Sequence, residues 1–159
     1  MNLLLTIDPV PECNWGINLS HLLPRNKWDI IRKNVYRQYN YKCGICGTSE
    51  RLNCHEIWVL DDDKLTQKLA GLIALCKKCH DVKHLGRSIA MYANGTFSQE
   101  YILALVDHFL RVNKCTMDDF LAHQFEVKFE YNKRRNKKYI VDFGILDPII
   151  LKDINLKKS

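Results

Sequence analysis

Cys43-Gly44-Ile45-Cys46-Gly47 and Leu75-Cys76-Lys77-Lys78-Cys79-His80-Asp81-Val82-Lys83-His84 read as one unit. Each stretch carries a C-x-x-C pair, and two pairs bracketing residues 47–75 supply four soft sulfur ligands, which satisfy a tetrahedral zinc ion at about 2.3 Å. With every position taken by thiolate the ion has no open site, so its expected role is structural. Gly44 and Gly47 permit the tight turn that aims two sulfurs at one point. A redox dithiol or an iron–sulfur cluster would use the same residue type, but two pairs flanking a hairpin are poorly explained by a dithiol.

Working outward, Leu52–Leu60 and Gly71–Leu75 are short β-prone or apolar runs joined by a polar loop containing Asp61, Asp62 and Asp63, and predict a hairpin. Lys77 to about Leu85 suits a short helix, closed by Gly86 in the left-handed conformation. Metal held by the cysteines would tie the turn before the hairpin to the start of that helix. His80 and His84, four residues apart, share one helix face. His55 on the first strand would be drawn toward them, so the three can share a second ion.

The rest of the chain frames this unit in one α+β domain. Residues 1–24, with Pro9, Pro11 and Pro24, predict an irregular arm packing Trp15, Leu19, Leu22 and Leu23. Residues 25–42 carry a leading helix, capped by Asn26 and running to about Asn40, with Trp28, Ile31, Val35 and Tyr39 on its core face. Residues 43–88 are the cysteine-bracketed core, and 89–159 a helical extension. Within the extension, Ser98 caps a helix with Ile102, Leu105, Val106 and Phe109 inward. Thr116 and Asp119 form a capping-box-like pair ahead of Phe120, Leu121, Phe125 and Phe129. Tyr139–Leu151 predicts a strand or extended clamp, and the isolated Cys13, Cys54 and Cys115 predict small buried hydrophobes.

A 47% hydrophobic content is enough for an ordinary core. No run approaches the roughly 20 apolar residues of a membrane span, and MNLLLTIDPVPE lacks a signal-peptide pattern. The expectation is a soluble, cytoplasmic protein. Lys and Arg number 24 against 18 acids, a formal charge of +6 that favours polyanionic partners. Lys133, Arg134, Arg135, Lys137 and Lys138 gather at a helix end with Phe129, Tyr131 and Tyr139 interleaved. That pattern suits phosphate contact as well as an ordinary solvated helix terminus.

The hairpin, crossing loop and helix resemble the ββα-metal core of cysteine-bracketed HNH endonucleases. The match covers Cys43 to Gly86 and rests on Cys43-x-x-Cys46-Gly47, Leu52-Asn53-Cys54-His55-Glu56-Ile57 and Leu72-Ile73-Ala74-Leu75-Cys76-x-x-Cys79-His80-x-x-x-His84. Within the family it is similar to a subgroup of bacterial and phage proteins. The resemblance implies that His55, His80 and His84 hold one catalytic divalent ion (magnesium, manganese, nickel or zinc) and that the substrate is DNA, with RNA open. The family's general base is a histidine where this chain has Glu56, and the asparagine that orients it is replaced by Gly71. A carboxylate is a weaker base than imidazole yet is ionised at neutral pH, so the two changes fit together as a variant site. They fit equally a non-catalytic zinc module that binds nucleic acid or a protein partner, in which Glu56 steadies a histidine.

Overall fold

The computed structural model describes residues 2–144 and 146. The described chain is mixed α+β, with six α-helices and one three-stranded sheet. The hairpin is longer than the sequence suggests. Strand β1 (Leu52–Asp61) pairs antiparallel with β2 (Thr66–Cys76), so Gly71 lies within β2, opposite Ile57. The Asp-rich loop is a tight turn: the Asp61 carboxylate accepts from the amides of Asp63 and Lys64, and Leu65 takes a φ of 51°. The register shifts at Ile57/Trp58, where a bulge twists the hairpin.

Helices pack on the hairpin, while Ile57 and Val59 of β1 stay exposed. Helix α1 (Leu19–Leu22), capped by Asn18, and helix α2 (Arg25–Gln38) bury Leu19 and Leu23, with Leu22, Trp28 and Ile31 partly buried beside them, against Leu69 and Phe143. Pro24 occupies the N-cap of α2, displacing the expected Asn26 cap. A fixed φ suits proline at a helix start. The arm before α1 is less irregular than expected, with a 3-10 turn at Glu12–Asn14, but Trp15 is 62% exposed and stacks on Tyr131 instead of entering the core.

Cys76 caps helix α3 (Lys77–Lys83), its sulfur accepting from the Cys79 amide at 3.4 Å. The predicted stop at Gly86 is incorrect. The helical path breaks at His84 (φ −101°, ψ 41°) and restarts as α4 (Leu85–Ala93), with Gly86 inside it. Val82 and Leu85 are buried on either side of the break. Helix α5 (Gln99–Asn113) starts at the Ser98 cap, and α6 (Met117–Arg134) at a complete Thr116/Asp119 capping box, both as read from the sequence. Leu5, Leu75, Val82, Leu105, Phe109 and Phe120 form the main core. Burying each such side chain stabilises the fold by about 2–3 kcal/mol.

Only part of the predicted α6 stripe is internal. Phe120 is buried and Val127 packs beside the core, while Leu121, Phe125 and Phe129 are exposed, Phe125 by 73%. Helix α6 lies on the surface, and only its Phe120/His123/Val127 side meets α5. Strand β3 (Ile140–Asp142) adds parallel to β2 at Thr66–Lys68, which fulfils the start of the predicted tail strand. Ile145 and residues 147–151 lie outside the described residues. Cys13 is exposed, and Cys54 and Cys115 are half-buried, so none of the three is the buried hydrophobe expected. Among the described residues no helix is long and apolar enough to cross a membrane.

Candidate metal centres

The four sulfurs of Cys43, Cys46, Cys76 and Cys79 lie within 4.8 Å of one another. Local backbone rules put them there. The amide of Cys43 bonds the Thr48 carbonyl, Gly47 bonds back to Cys43, and Gly47 takes a φ of 76° that favours glycine. Gly44 has a different reason: its amide bonds the Ala74 carbonyl on β2, and a Cβ there would sit 2.5 Å from the Tyr39 ring. The knuckle is thereby stitched to the strand that ends at Cys76.

Four crowded thiols cannot ionise independently. Hydrogen bonds from Cys76 and Cys79 hold the Cys43 thiol well below its ordinary range, and the bond to Cys43 pushes Cys76 up to about 12. Cys79 is pushed up for the same reason. A cation amid the sulfurs removes that conflict by stabilising all four thiolates, so the donor set fits a metal ion. His108 on α5 places Nε2 at 3.1 Å from the Cys79 sulfur. Sequence reading passed over it, although it stands in the inward stripe of α5 beside Leu105 and Phe109.

The second cluster lies between β1 and α3. His55 is 3% exposed, and its ring centroid is 5.4 Å from that of His80 and 4.9 Å from that of His84, with 4.7 Å between the last two. One ring nitrogen from each lies within 4.8 Å of the others, so the three predicted residues come together. Burial, and then the neighbouring histidines, lower His84 to a pKa of about 3, leaving a neutral ring with a free lone pair at physiological pH.

The decisive contact comes from the arm. Asp8 Oδ2 is 2.9 Å from His55 Nε2, while Asp8 Oδ1 accepts from Lys83 Nζ at 3.0 Å. Burial alone would raise the Asp8 carboxyl, but the bond to His55 and the Lys83 charge bring it below its usual range. An ionised carboxylate can only accept, so His55 donates from Nε2, and in the neutral imidazole Nδ1 is then the bare nitrogen. Among the described residues that Nδ1 is the one buried polar side-chain atom with no hydrogen-bond partner. An unsatisfied buried polar group costs about 1–3 kcal/mol, and a cation shared with His80 and His84 satisfies it.

Asp8 was invisible as a site residue, and its signal is slight. It ends the alternating run Leu3, Leu5, Ile7, which packs inward. Asn113 holds that run through the amides of Leu4 and Leu5, and His123 through the amide of Ile7. His80 lies beside buried Asp81, with Nδ1 3.7 Å from its carboxylate, and Asp81 in turn accepts from Lys77 and Tyr101.

Glu56 is placed differently. Consecutive strand residues point to opposite faces, and Glu56 Oε1 accepts from the Leu19 amide at 2.9 Å, at the start of α1. Gly71 is not sterically required, since a Cβ there would meet only Ile57 Cδ1 at 3.6 Å.

The basic run divides. Arg134 makes a two-pronged bond to Asp62 (3.0 and 2.9 Å) and a 2.8 Å pair to Glu130. Lys137 and Lys133 stand 3.6 and 4.0 Å from Asp62, and the Tyr139 hydroxyl donates to it. The Arg134 and Tyr139 bonds hold the Asp62 carboxyl far below its ordinary value. The predicted polar loop is therefore tied to the predicted phosphate binders. Arg135 and Lys138 are exposed. No family model, no curated protein and no solved structure matches the chain.

Proposed function

We propose that the chain is a metal-dependent endonuclease of the HNH type, which hydrolyses or nicks DNA. In this reading Cys43, Cys46, Cys76 and Cys79 hold a structural zinc ion, and His55, His80 and His84 hold a second divalent ion. The hairpin followed by α3 is the ββα-metal core. One observation carries the reading: a buried, unpartnered His55 Nδ1 oriented by Asp8 and grouped with His80 in α3 and His84 at its end. Arrangements in which a carboxylate fixes a metal-ligating histidine are the common support of ligand imidazoles.

The bound divalent ion supplies charge stabilisation at the leaving oxygen and acidifies water. The chain's own residues do the rest. Asp8 keeps the proton on His55 Nε2, Lys83 keeps Asp8 ionised and oriented, and burial keeps His84 neutral. Glu56, which the resemblance to the family implies as the base for the attacking water, is bound to the Leu19 amide on the strand face opposite His55, and the Glu56→Gln and Glu56→Ala variants decide between the two roles.

The test is relaxation of supercoiled plasmid with magnesium, manganese, nickel and zinc offered in turn. The expected result is nicked or linear product with at least one ion, lost in His80→Ala. Uncut plasmid under all four ions, or undiminished cutting by the variant, sinks the proposal. A second reading, a non-catalytic zinc module, is favoured by one contact: the Glu56 carboxylate is engaged with the Leu19 amide. One tightly held zinc per chain, with no second ion at neutral pH, would select it.

A further inference from the structure

A cleft of about 480 Å³ opens between α1, α2 and the start of β1. Its lining includes Arg25, Arg32 and Arg51 with Trp28, Ser20 and Asp29. Three guanidiniums face one carboxylate, and that carboxylate is already bonded to Arg32 at 2.7 Å. Arg25 and Arg51 are exposed at the cleft. The cleft therefore keeps two positive charges beyond its internal pair, next to an indole. It lies on the Glu56 side of the hairpin, because the helix whose first amide Glu56 holds also supplies Ser20 to the lining.

The contrast with the lysine- and arginine-rich end of α6 guides the assignment. There Arg134 is committed to Asp62 and Glu130 and two lysines cluster on Asp62, which leaves Arg135 and Lys138 exposed on the helix end. In the cleft the two exposed guanidiniums instead line a concavity that Trp28 shares. Guanidiniums bind phosphate oxygens in a planar fork, and an adjacent aromatic offers the π-face on which any base stacks. A concavity of this volume admits one nucleotide and not the width of a duplex.

We propose that this cleft takes one nucleotide of single-stranded nucleic acid, with its phosphodiester on Arg25 and Arg51 and its base against Trp28. The assignment deepens the nuclease reading and rests on it for the choice of nucleic acid as ligand. It makes the cleft the holding site for an unpaired strand, on the hairpin face opposite the histidines.

The test is fluorescence anisotropy with a 5′-fluorescein oligothymidylate 12-mer and, separately, a hairpin duplex of equal length. It uses the full chain carrying His80→Ala without added divalent ion, so that cutting cannot deplete the probe. Against that background, Arg25→Glu/Arg51→Glu is expected to weaken single-strand binding at least 10-fold. It should also flatten the salt dependence by about 0.7 in log–log slope, the share of the one phosphate no longer neutralised. Arg135→Glu/Lys138→Glu, an equal exposed double charge reversal on the other cluster, should change affinity less than 2-fold. Quenching of tryptophan fluorescence by the oligomer should disappear in Trp28→Phe and persist in Trp15→Phe.

Equal loss in Arg135→Glu/Lys138→Glu, parent-like binding by Arg25→Glu/Arg51→Glu, tighter binding of the duplex, or quenching that survives Trp28→Phe each overturn the assignment. The two readings separate cleanly. A protein that cuts plasmid while Arg25→Glu/Arg51→Glu binds normally has lost only the cleft, whereas the expected anisotropy pattern in a protein that never cuts leaves the cleft standing and removes the nuclease.

Discussion

The cysteine cluster and the histidine cluster share one hairpin and one helix, yet they are built in opposite ways. The first two sulfurs come from one glycine-bearing turn and the other two from a strand end and the helix it caps, and the backbone bonds that aim them lie within a few residues of each pair. The histidine cluster takes its ligands from the same segment but its orientation from Asp8, 47 positions before His55. A site whose geometry is local is held by the turns themselves. A site whose geometry is borrowed from a distant arm can be detuned without touching the fold.

The sharpest break in that comparison is removal of a sulfur. In the proposed reading Cys79→Ser leaves three thiolates and a hydroxyl to hold the zinc ion, and structural zinc contributes on the order of 10 kcal/mol to folding. The expected outcome is loss of bound zinc with a melting temperature lowered by more than about 10 °C, read by metal analysis and circular dichroism. A chelator strong enough to strip zinc from the parent should reproduce it. By contrast His80→Ala, on the partly exposed side of the second cluster, should shift melting by no more than a few degrees. It should nevertheless abolish binding of the second ion and cut cleavage by at least 10³-fold. If His80→Ala unfolds the chain as thoroughly as Cys79→Ser, the division into a structural and a functional centre is wrong.

Asp8 tests the borrowed half directly. Asp8→Asn keeps the size of the side chain but can no longer hold His55 by charge, and loss of such a partner typically costs 10–100-fold in metal affinity. Calorimetric titration of the second ion should show a drop in that range while the zinc content stays at the parent level. Unchanged affinity would reduce Asp8 to a strut between the arm and Lys83.

The same difference explains what could be read beforehand. Both C-x-x-C pairs, the i, i+4 spacing of His80 and His84, the Ser98 cap and the Thr116/Asp119 box are local patterns, and the structure keeps them all. Three things that went unread or misread depend on tertiary contacts. Asp8 reaches its partner only because Asn113 and His123 hold the arm against α5 and α6. Gly86 has the composition of a helix stop, but the break falls two residues earlier, at His84, whose ring packs against His55 of β1 and His80. Phe125 and Phe129 recur at helical spacing, yet spacing says nothing of whether another element covers that side, and here none of the described residues buries them.

Glu56 is the residue on which local and borrowed geometry compete, and two substitutions separate its roles. Glu56→Gln keeps an acceptor for the Leu19 amide but cannot take a proton at neutral pH, whereas Glu56→Ala removes both functions. A general base predicts that Gln loses roughly 10²–10⁴-fold in cleavage with melting unchanged. An anchor for α1 predicts that Gln is nearly silent and that Ala lowers stability by about 1 kcal/mol. Gly71→Asn, for which the backbone has room, should improve cleavage only if Glu56 works as a base on that side of the hairpin.

The smallest effect belongs to the Asp62 network, which ties the end of α6 and β3 to the hairpin tip. Surface ion pairs contribute about 0–1 kcal/mol, so Asp62→Asn should lower melting by at most a few degrees, and the histidine site should not notice. The sign with pH follows from the depressed carboxyl. The folded pKa lies below the unfolded value near about 3.9, so the stabilisation is complete above that value and fades as pH falls toward the folded pKa. The melting difference between parent and Asp62→Asn should therefore be constant from pH 7 to about pH 5 and close below about pH 4. A gap that instead widens in acid would mean that Asp62 is a charge the fold tolerates, not one that holds α6 in place.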